Sequence, residues 1–157
     1  MKSRIYHTES EEETIALGEK IASELPAKAV VLLIGQLGAG KTTLAKGIVK
    51  GLGAARPEDV SSPTFTLIHE YGRGVYHIDL YRLDTAEQLA TLGLDEIFDR
   101  RAVVLVEWGE RFPELMPQDH VEILLRSDAE NSREIEVRTT MEEALPPIRE
   151  SAREIEG

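Results

Sequence analysis

The sequence predicts an α/β fold with a mostly parallel central sheet, on three observations. A wholly apolar run, Ala29–Ile34, passes through a glycine-rich loop into an amphipathic helix, the strand–loop–helix order of parallel α/β proteins. A second continuous apolar run, Val103–Val106, has the composition of a strand covered on both faces. The chain has 157 residues, 41% of them apolar and 30% charged. Those values suit one compact domain, residues 1–157, with a real core rather than a disordered chain.

Taken in order, Ser10 with Glu13 three residues later reads as a capping box, and Glu11–Glu13 suit the positive end of a helix. That helix should run to about Leu25, with Leu17, Ile21 and Leu25 on one face, and Pro26 should end it. Strand Ala29–Ile34 follows. A second helix is expected from about Lys41, with Leu44, Ile48 and Leu52 inward and Gly53 as its C-terminal cap. Phe65–Tyr71 and Val75–Leu80 read as strands joined by Gly72-Arg73-Gly74. Thr85–Leu92 and Leu94–Phe98 read as short helices, and Val103–Val106 as a buried strand. Val121–Leu125 and Glu134–Arg138 can pair as a hairpin. The charged tail from Met141 is expected to be helical, docked on this domain or on a partner.

Net charge and composition exclude several classes. The formal charge is −11 and no Lys/Arg-rich stretch exists, so a self-sufficient nucleic-acid binder is disfavoured. Action on RNA would have to pass through a partner. The absence of cysteine removes disulfides and thiolate metal sites. No apolar run approaches the ~20 residues of a membrane span, and the first residues lack a signal-peptide core. The expectation is a cytoplasmic protein with no membrane role.

The strongest chemical signal is Gly35-Gln36-Leu37-Gly38-Ala39-Gly40-Lys41-Thr42, which matches G-x-x-x-x-G-K-[ST] at every fixed position. Glycines permit backbone angles closed to other residues, so N–H groups can turn inward around phosphate oxygens. The helix beginning near Lys41 aims its positive end at the same place. Lys41 adds a charge for the β- and γ-phosphates, and the Thr42 hydroxyl can bind Mg²⁺. One such match arises by chance in a chain of this length with a probability of roughly half a per cent. A preceding buried strand and a following helix are the context the motif requires.

Phosphoryl chemistry also calls for a carboxylate near the metal, at the C-terminal end of an adjacent buried strand. Val103–Val106 followed by Glu107 has that form. Glu107 can hold Mg²⁺ directly, hold it through a water, or orient the attacking water; a solvent-facing strand-end glutamate is the plain alternative. In His77-Ile78-Asp79-Leu80-Tyr81-Arg82, alternation places His77, Asp79 and Tyr81 on one face. Asp79 is a candidate for positioning metal or water. Arg82 can stabilise transferring phosphoryl charge or pair with Asp79. The plain alternative is a polar face on a solvated edge strand. Ser61–Thr66 is a hydroxyl-rich loop that can sense a γ-phosphate or be an ordinary loop. The guanine motif N-K-x-D and a D-x-x-G switch are both absent, which points to ATP by elimination.

Four segments together resemble a known family: Gly35–Thr43, Ser62–Leu67, His77–Leu83 and Val106-Glu107-Trp108. Their order and spacing are those of the bacterial TsaE (YjeE) family, the ATPase subunit of the tRNA threonylcarbamoyladenosine (t6A) system. The resemblance runs from about Ser10 to Arg138. It implies a P-loop NTPase-type three-layer sandwich, its mostly parallel central sheet flanked by antiparallel strands. It implies weak Mg²⁺-dependent ATP hydrolysis, stimulated by a threonylcarbamoyltransferase subunit (TsaD-like) and its companion (TsaB-like), with tRNA engaged only indirectly. Carried onto matching positions, it assigns catalysis to Lys41, Asp79 and Glu107, and Mg²⁺ to Thr42 and Glu107. Nucleotide binding falls to Gly38, Ala39, Gly40, Lys41, Thr42 and Thr43. Glu11 and Arg133 match positions near the adenine or ribose, and Trp108 the edge of the site. One departure is Gln36, where the family usually has an acid; that position contributes mainly backbone. Two other readings compete: a nucleotide-gated binding module whose hydrolysis is incidental, and a small-molecule kinase, which would need an Arg-rich lid such as Arg100-Arg101.

Overall fold

A computed structural model describes residues 2–61, 67–72, 74–128, 132–139 and 153–155. The elements in chain order are β1 (Lys2–Thr8), α1 (Glu11–Glu24), β2 (Ala29–Ile34), α2 (Lys41–Gly51), β3 (Ile68–Tyr71) and β4 (Val75–Asp79). They continue with α3 (Ala86–Ala90), α4 (Leu94–Asp99), β5 (Val103–Glu107), β6 (Val121–Ser127), β7 (Arg133–Thr139) and β8 (Arg153–Ile155). The strands form one sheet in the order β3-β4-β5-β2-β6-β7-β1-β8. β4, β5, β2 and β6 run parallel at its centre, and β3, β7, β1 and β8 add antiparallel flanks.

The apolar run of β2 is explained by its two covered faces. Val31 and Leu33 point to α1 and α2, where Leu17, Ile21, Leu44, Ile48, Leu105 and Ile123 complete one core. Val30 and Leu32 point to the other side, where Ile78, Val104, Leu89, Ile97 and Phe98 complete a second. Each large aliphatic side chain so buried contributes about 1.5–3 kcal/mol. Two cores on a shared sheet make the three-layer sandwich that the sequence predicts.

Helices α1 and α2 approach backbone to backbone. A Cβ on Gly18 would stand 2.6 Å from the Leu44 carbonyl oxygen, and one on Gly47 would meet the Ile15 carbonyl oxygen. A Cβ on Gly51 would lie 2.7 Å from that of Ala22. This seam fixes α2, and therefore the loop in front of it, against α1. The expected caps are present with one shift. Ser10 Oγ accepts from the Glu13 N–H at 3.0 Å, but the Glu13 carboxylate reaches the Glu9 N–H, not that of Ser10. Gly53, in the left-handed region at φ +71°, donates to the Lys50 carbonyl at 2.9 Å and closes α2.

Two expectations need correction, and one strand was not expected. β1 carries no sequence signal strong enough to read: among its described side chains only Tyr6 and Thr8 are buried, and it is held by pairing with β7 at the other end of the chain, from Lys2 opposite Thr139 to Thr8 opposite Arg133. The charged tail is not helical where it is described. Arg153–Ile155 forms β8, because the outer edge of β1 offers unpaired backbone groups that a strand can satisfy; the rest of the tail lies outside the described residues. The polar edge-strand alternative for β4 fails, since β4 lies between β3 and β5 with all five residues buried. Two boundaries also move: β3 is described from Ile68, with 62–66 outside the described residues, and β4 ends at Asp79. Among the described residues no helix is long and apolar enough to cross a membrane.

Candidate nucleotide-binding site

The site lies where the parallel strands end. β2 runs between β5 and β6, and its loop opens at the carboxyl edge of the sheet, the position where open α/β sheets take their ligands. Gly38 and Gly40 adopt φ of +81° and +103°, which few other residues would tolerate. The Ala39 N–H donates to the Gln36 carbonyl at 3.0 Å, so Gln36 serves this turn through its backbone while its side chain is exposed.

A cleft of about 490 Å³ opens above the loop. Its walls hold Glu11, Gly38, Gly40, Lys41, Thr42, Thr43, Asp79, Glu107 and Arg133, together with Leu37, Tyr81 and Trp108. Of the residues that the resemblance assigns to nucleotide, metal or catalysis, Ala39 alone does not line it; Ala39 is packed beneath the loop. The volume falls within the range of small-molecule sites. Register explains how the acids meet. Asp79 on β4 stands opposite Glu107 on β5, and Glu107 is in turn opposite Leu33 on β2. Glu107 therefore stands level with Leu33, two residues before the phosphate loop begins at Gly35, and Asp79 stands beside it on the next strand.

Lys41 is the most informative side chain. It is 5% exposed, and its ammonium has no hydrogen-bond acceptor among the described residues. Nζ rests 3.6 Å from the centroid of the Trp108 ring. Burial pushes its pKa down, against the pull of Glu107, Glu110 and Asp79. A buried ammonium without an acceptor is costly unless a ligand supplies one.

The other groups are held more completely. Asp79 Oδ1 accepts the Tyr81 N–H at 2.9 Å, and Glu107 Oε2 is 2.6 Å from His77 Nε2. Arg133 donates to Ser127 Oγ at 3.2 Å and to the Ser132 carbonyl at 3.0 Å, and its Nε lies 3.2 Å from where a Gly40 Cβ would stand. Trp108 adopts φ +68°, a strained value for a bulky residue that turns its ring over Lys41 and against Tyr81, with ring centroids 5.1 Å apart.

Sequence reasoning missed two participants. Glu110 has a buried Oε1 without a partner among the described residues, and burial raises its pKa despite Lys41 nearby. Its only sequence signal is its place three residues after Glu107. His77 was visible as a residue on the Asp79 face, but not as a partner of Glu107. Arg82 is exposed and does not line the cleft. Arg100, half of the pair that a kinase lid would require, instead donates to the Tyr76 hydroxyl at 2.7 Å, and neither Arg100 nor Arg101 lines the cleft. The candidate γ-phosphate sensor Ser61–Thr66 lies outside the described residues apart from Ser61.

The TsaE family model, described as threonylcarbamoyl adenosine biosynthesis protein TsaE, matches residues 8–135. The chain belongs to the TsaE family. A TsaE from Bacillus subtilis strain 168, named tRNA threonylcarbamoyladenosine biosynthesis protein, is 42% identical over 138 residues, covering 86% of this chain and 85% of that protein. Its namesake from Nostoc sp. PCC 7120 is 43% identical over 133 residues, 80% of each chain. The one from Haemophilus influenzae Rd is 37% identical over 146 residues, 87% and 90% of the two chains. The crystal structure of Bacillus subtilis YdiB superposes with a TM-score of 0.70 at 35% identity, covering 92% of this chain and 87% of that one. The phosphate loop, both acids and Trp108 all fall inside the segment matched by the TsaE model.

Proposed function

We propose that this TsaE-family chain is the Mg²⁺-dependent ATP-binding and ATP-hydrolysing subunit of t6A biosynthesis. It serves threonylcarbamoylation of the adenosine next to the anticodon, acting through a TsaD-like transferase subunit and its TsaB-like companion. The relatives' names support the pathway. The observation that carries the nucleotide reading is Lys41, a buried ammonium with no acceptor at the mouth of a phosphate loop. Triphosphate oxygens would supply that acceptor, and the inward N–H groups of the loop would share the remaining charge.

Mg²⁺, held by Thr42 and Glu107, would neutralise charge on the β- and γ-phosphates. Asp79, fixed through the Tyr81 N–H, can orient the attacking water, and Tyr81 with Trp108 screens that side of the cleft. Glu11 and Arg133, which share a small pocket with Gly40 and Thr43, would contact the nucleoside end. The charge of −11 fits a subunit that reaches tRNA through its partners.

ATP hydrolysis measured with and without the partner complex tests the proposal. Slow turnover alone, faster turnover with partners and none for Lys41→Ala are expected. If the complex hydrolyses no more ATP than the Lys41→Ala control, the proposal fails. If Glu107→Ala binds ATP without turnover yet sustains tRNA modification through many cycles, the chain is a nucleotide-gated module instead.

A further inference from the structure

We propose that His77 is a positioning residue, which commits the Glu107 carboxylate to the site through a single oxygen. The inference rests on the reading of Glu107 as the metal-side carboxylate. His77 and Glu107 come from neighbouring parallel strands, His77 opposite Leu105 and two residues before the Asp79–Glu107 pair. Their contact, 2.6 Å between Nε2 and Oε2, is buried, with His77 inaccessible and Glu107 3% exposed. A hydrogen bond to a buried carboxylate is short and roughly twice as strong as a neutral one. The Glu107 carboxylate makes no other hydrogen bond among the described residues, so Oε2 is engaged by His77 and Oε1 is left for a ligand in the cleft that Glu107 lines. One-oxygen binding of a cation through Oε1 is thereby favoured over a symmetric two-oxygen grip.

The ring itself is held in place. Tyr71 packs against it with centroids 6.5 Å apart, and Tyr71 is in turn fixed through His69 Nδ1, 3.4 Å from its hydroxyl. His77 Nδ1 is buried and has no partner among the described residues. A proton there would be a donor without an acceptor, so the ring proton belongs on Nε2, aimed at Glu107. Groups that orient a metal-binding side chain in this way typically change metal affinity 10–100-fold when removed.

Trp108 is the only tryptophan and touches Lys41, so its emission can follow nucleotide binding. ADP is titrated into the wild-type chain, His77→Leu and His77→Gln, once in EDTA and once across Mg²⁺ concentrations. The expected result for His77→Leu is metal-free ADP affinity within about twofold of wild type and a half-saturating Mg²⁺ concentration raised at least about tenfold. His77→Gln, which keeps an N–H at similar reach, should restore most of the Mg²⁺ response. An unchanged Mg²⁺ response in His77→Leu, or equal losses in EDTA and Mg²⁺ for both variants, overturns the proposal while leaving the metal reading intact. Wild-type protein with no Mg²⁺ response overturns the metal reading, and this proposal with it. Nitrogen NMR of the wild-type imidazole adds a test independent of any variant: the Nε2–H tautomer is expected, and an Nδ1–H tautomer refutes the assignment.

Discussion

Replacing Lys41 with methionine should make the ligand-free protein more stable and the nucleotide-saturated protein less stable, so that the two melting curves change order. Methionine keeps the length and unbranched shape of the stem, leaving packing against α2 and Trp108 nearly intact. What it removes is the ammonium. The lost contact over the Trp108 ring, 3.6 Å away, is worth about 0.5–2 kcal/mol. The relieved burden is a buried charged donor with no acceptor, about 1–3 kcal/mol and more for an ion. Burial is the dominant influence on Lys41 and outweighs Glu107, Glu110 and Asp79. The charge is therefore a net burden in the ligand-free fold, and a gain of about 1 kcal/mol, or 2–4 °C in Tm, is expected. With ligand at a hundredfold excess over Kd the wild type gains about 2.7 kcal/mol, and Lys41→Met should gain almost none. The sign with pH follows. The folded pKa of Lys41 lies below its ordinary 10.5, so the unfolded chain holds more protons between the two values. Ligand-free wild type recovers stability as pH rises across that interval and loses it as pH falls through the folded pKa. The advantage of Lys41→Met should accordingly shrink in alkali. Scanning calorimetry with and without Mg²⁺-nucleotide decides the matter; a ligand-free Lys41→Met that melts below wild type at neutral pH would refute the argument.

Three further outcomes are expected. Gly47→Ala gains about 1 kcal/mol of helix propensity, but its methyl would overlap the Ile15 carbonyl; a net loss of about 1–3 kcal/mol should appear in urea unfolding, and a neutral or stabilising result would disprove the close seam. Asp79→Asn keeps an oxygen for the Tyr81 N–H, so thermal stability should change little while ATP turnover drops at least about a hundredfold; parallel losses in both would assign Asp79 a structural role only. Arg133→Ala should weaken nucleotide binding without moving the Mg²⁺ half-saturation point, by fluorescence titration, because Arg133 also lines a small pocket with Glu11 and Thr43 and a cationic side chain does not ligate a metal.

Much of the parallel half of the molecule was legible because its signals are local. The apolar runs of β2 and β5 and the phosphate loop each report their own surroundings, and Glu107 is found by counting one residue past a buried strand. Register was not legible. Nothing in the chain states that Asp79 faces Glu107, or that His77 stands close enough to bond it; both depend on how β4 aligns with β5. The antiparallel half was harder still. β1 lacks a clean apolar alternation, with Ile5 and Tyr6 adjacent, and its strand state comes from a partner at the other end of the chain. Glu11 and Arg133 could be assigned only by resemblance, since helix packing and hairpin pairing bring them to Gly40. The orphaned ammonium of Lys41 was invisible for the opposite reason: a sequence records which groups are present, not which partners are missing.

The left-handed backbone at Trp108 bears on how this protein would respond to engineering. Glycine or asparagine would adopt φ +68° with less strain, by about 1–3 kcal/mol, and either would strip the aromatic wall from the cleft. A selection for thermal tolerance alone would reward such a replacement and return a sturdier, blunted protein. Stability and activity are thus set against each other at a single residue, and a screen meant to preserve both has to score nucleotide turnover alongside melting.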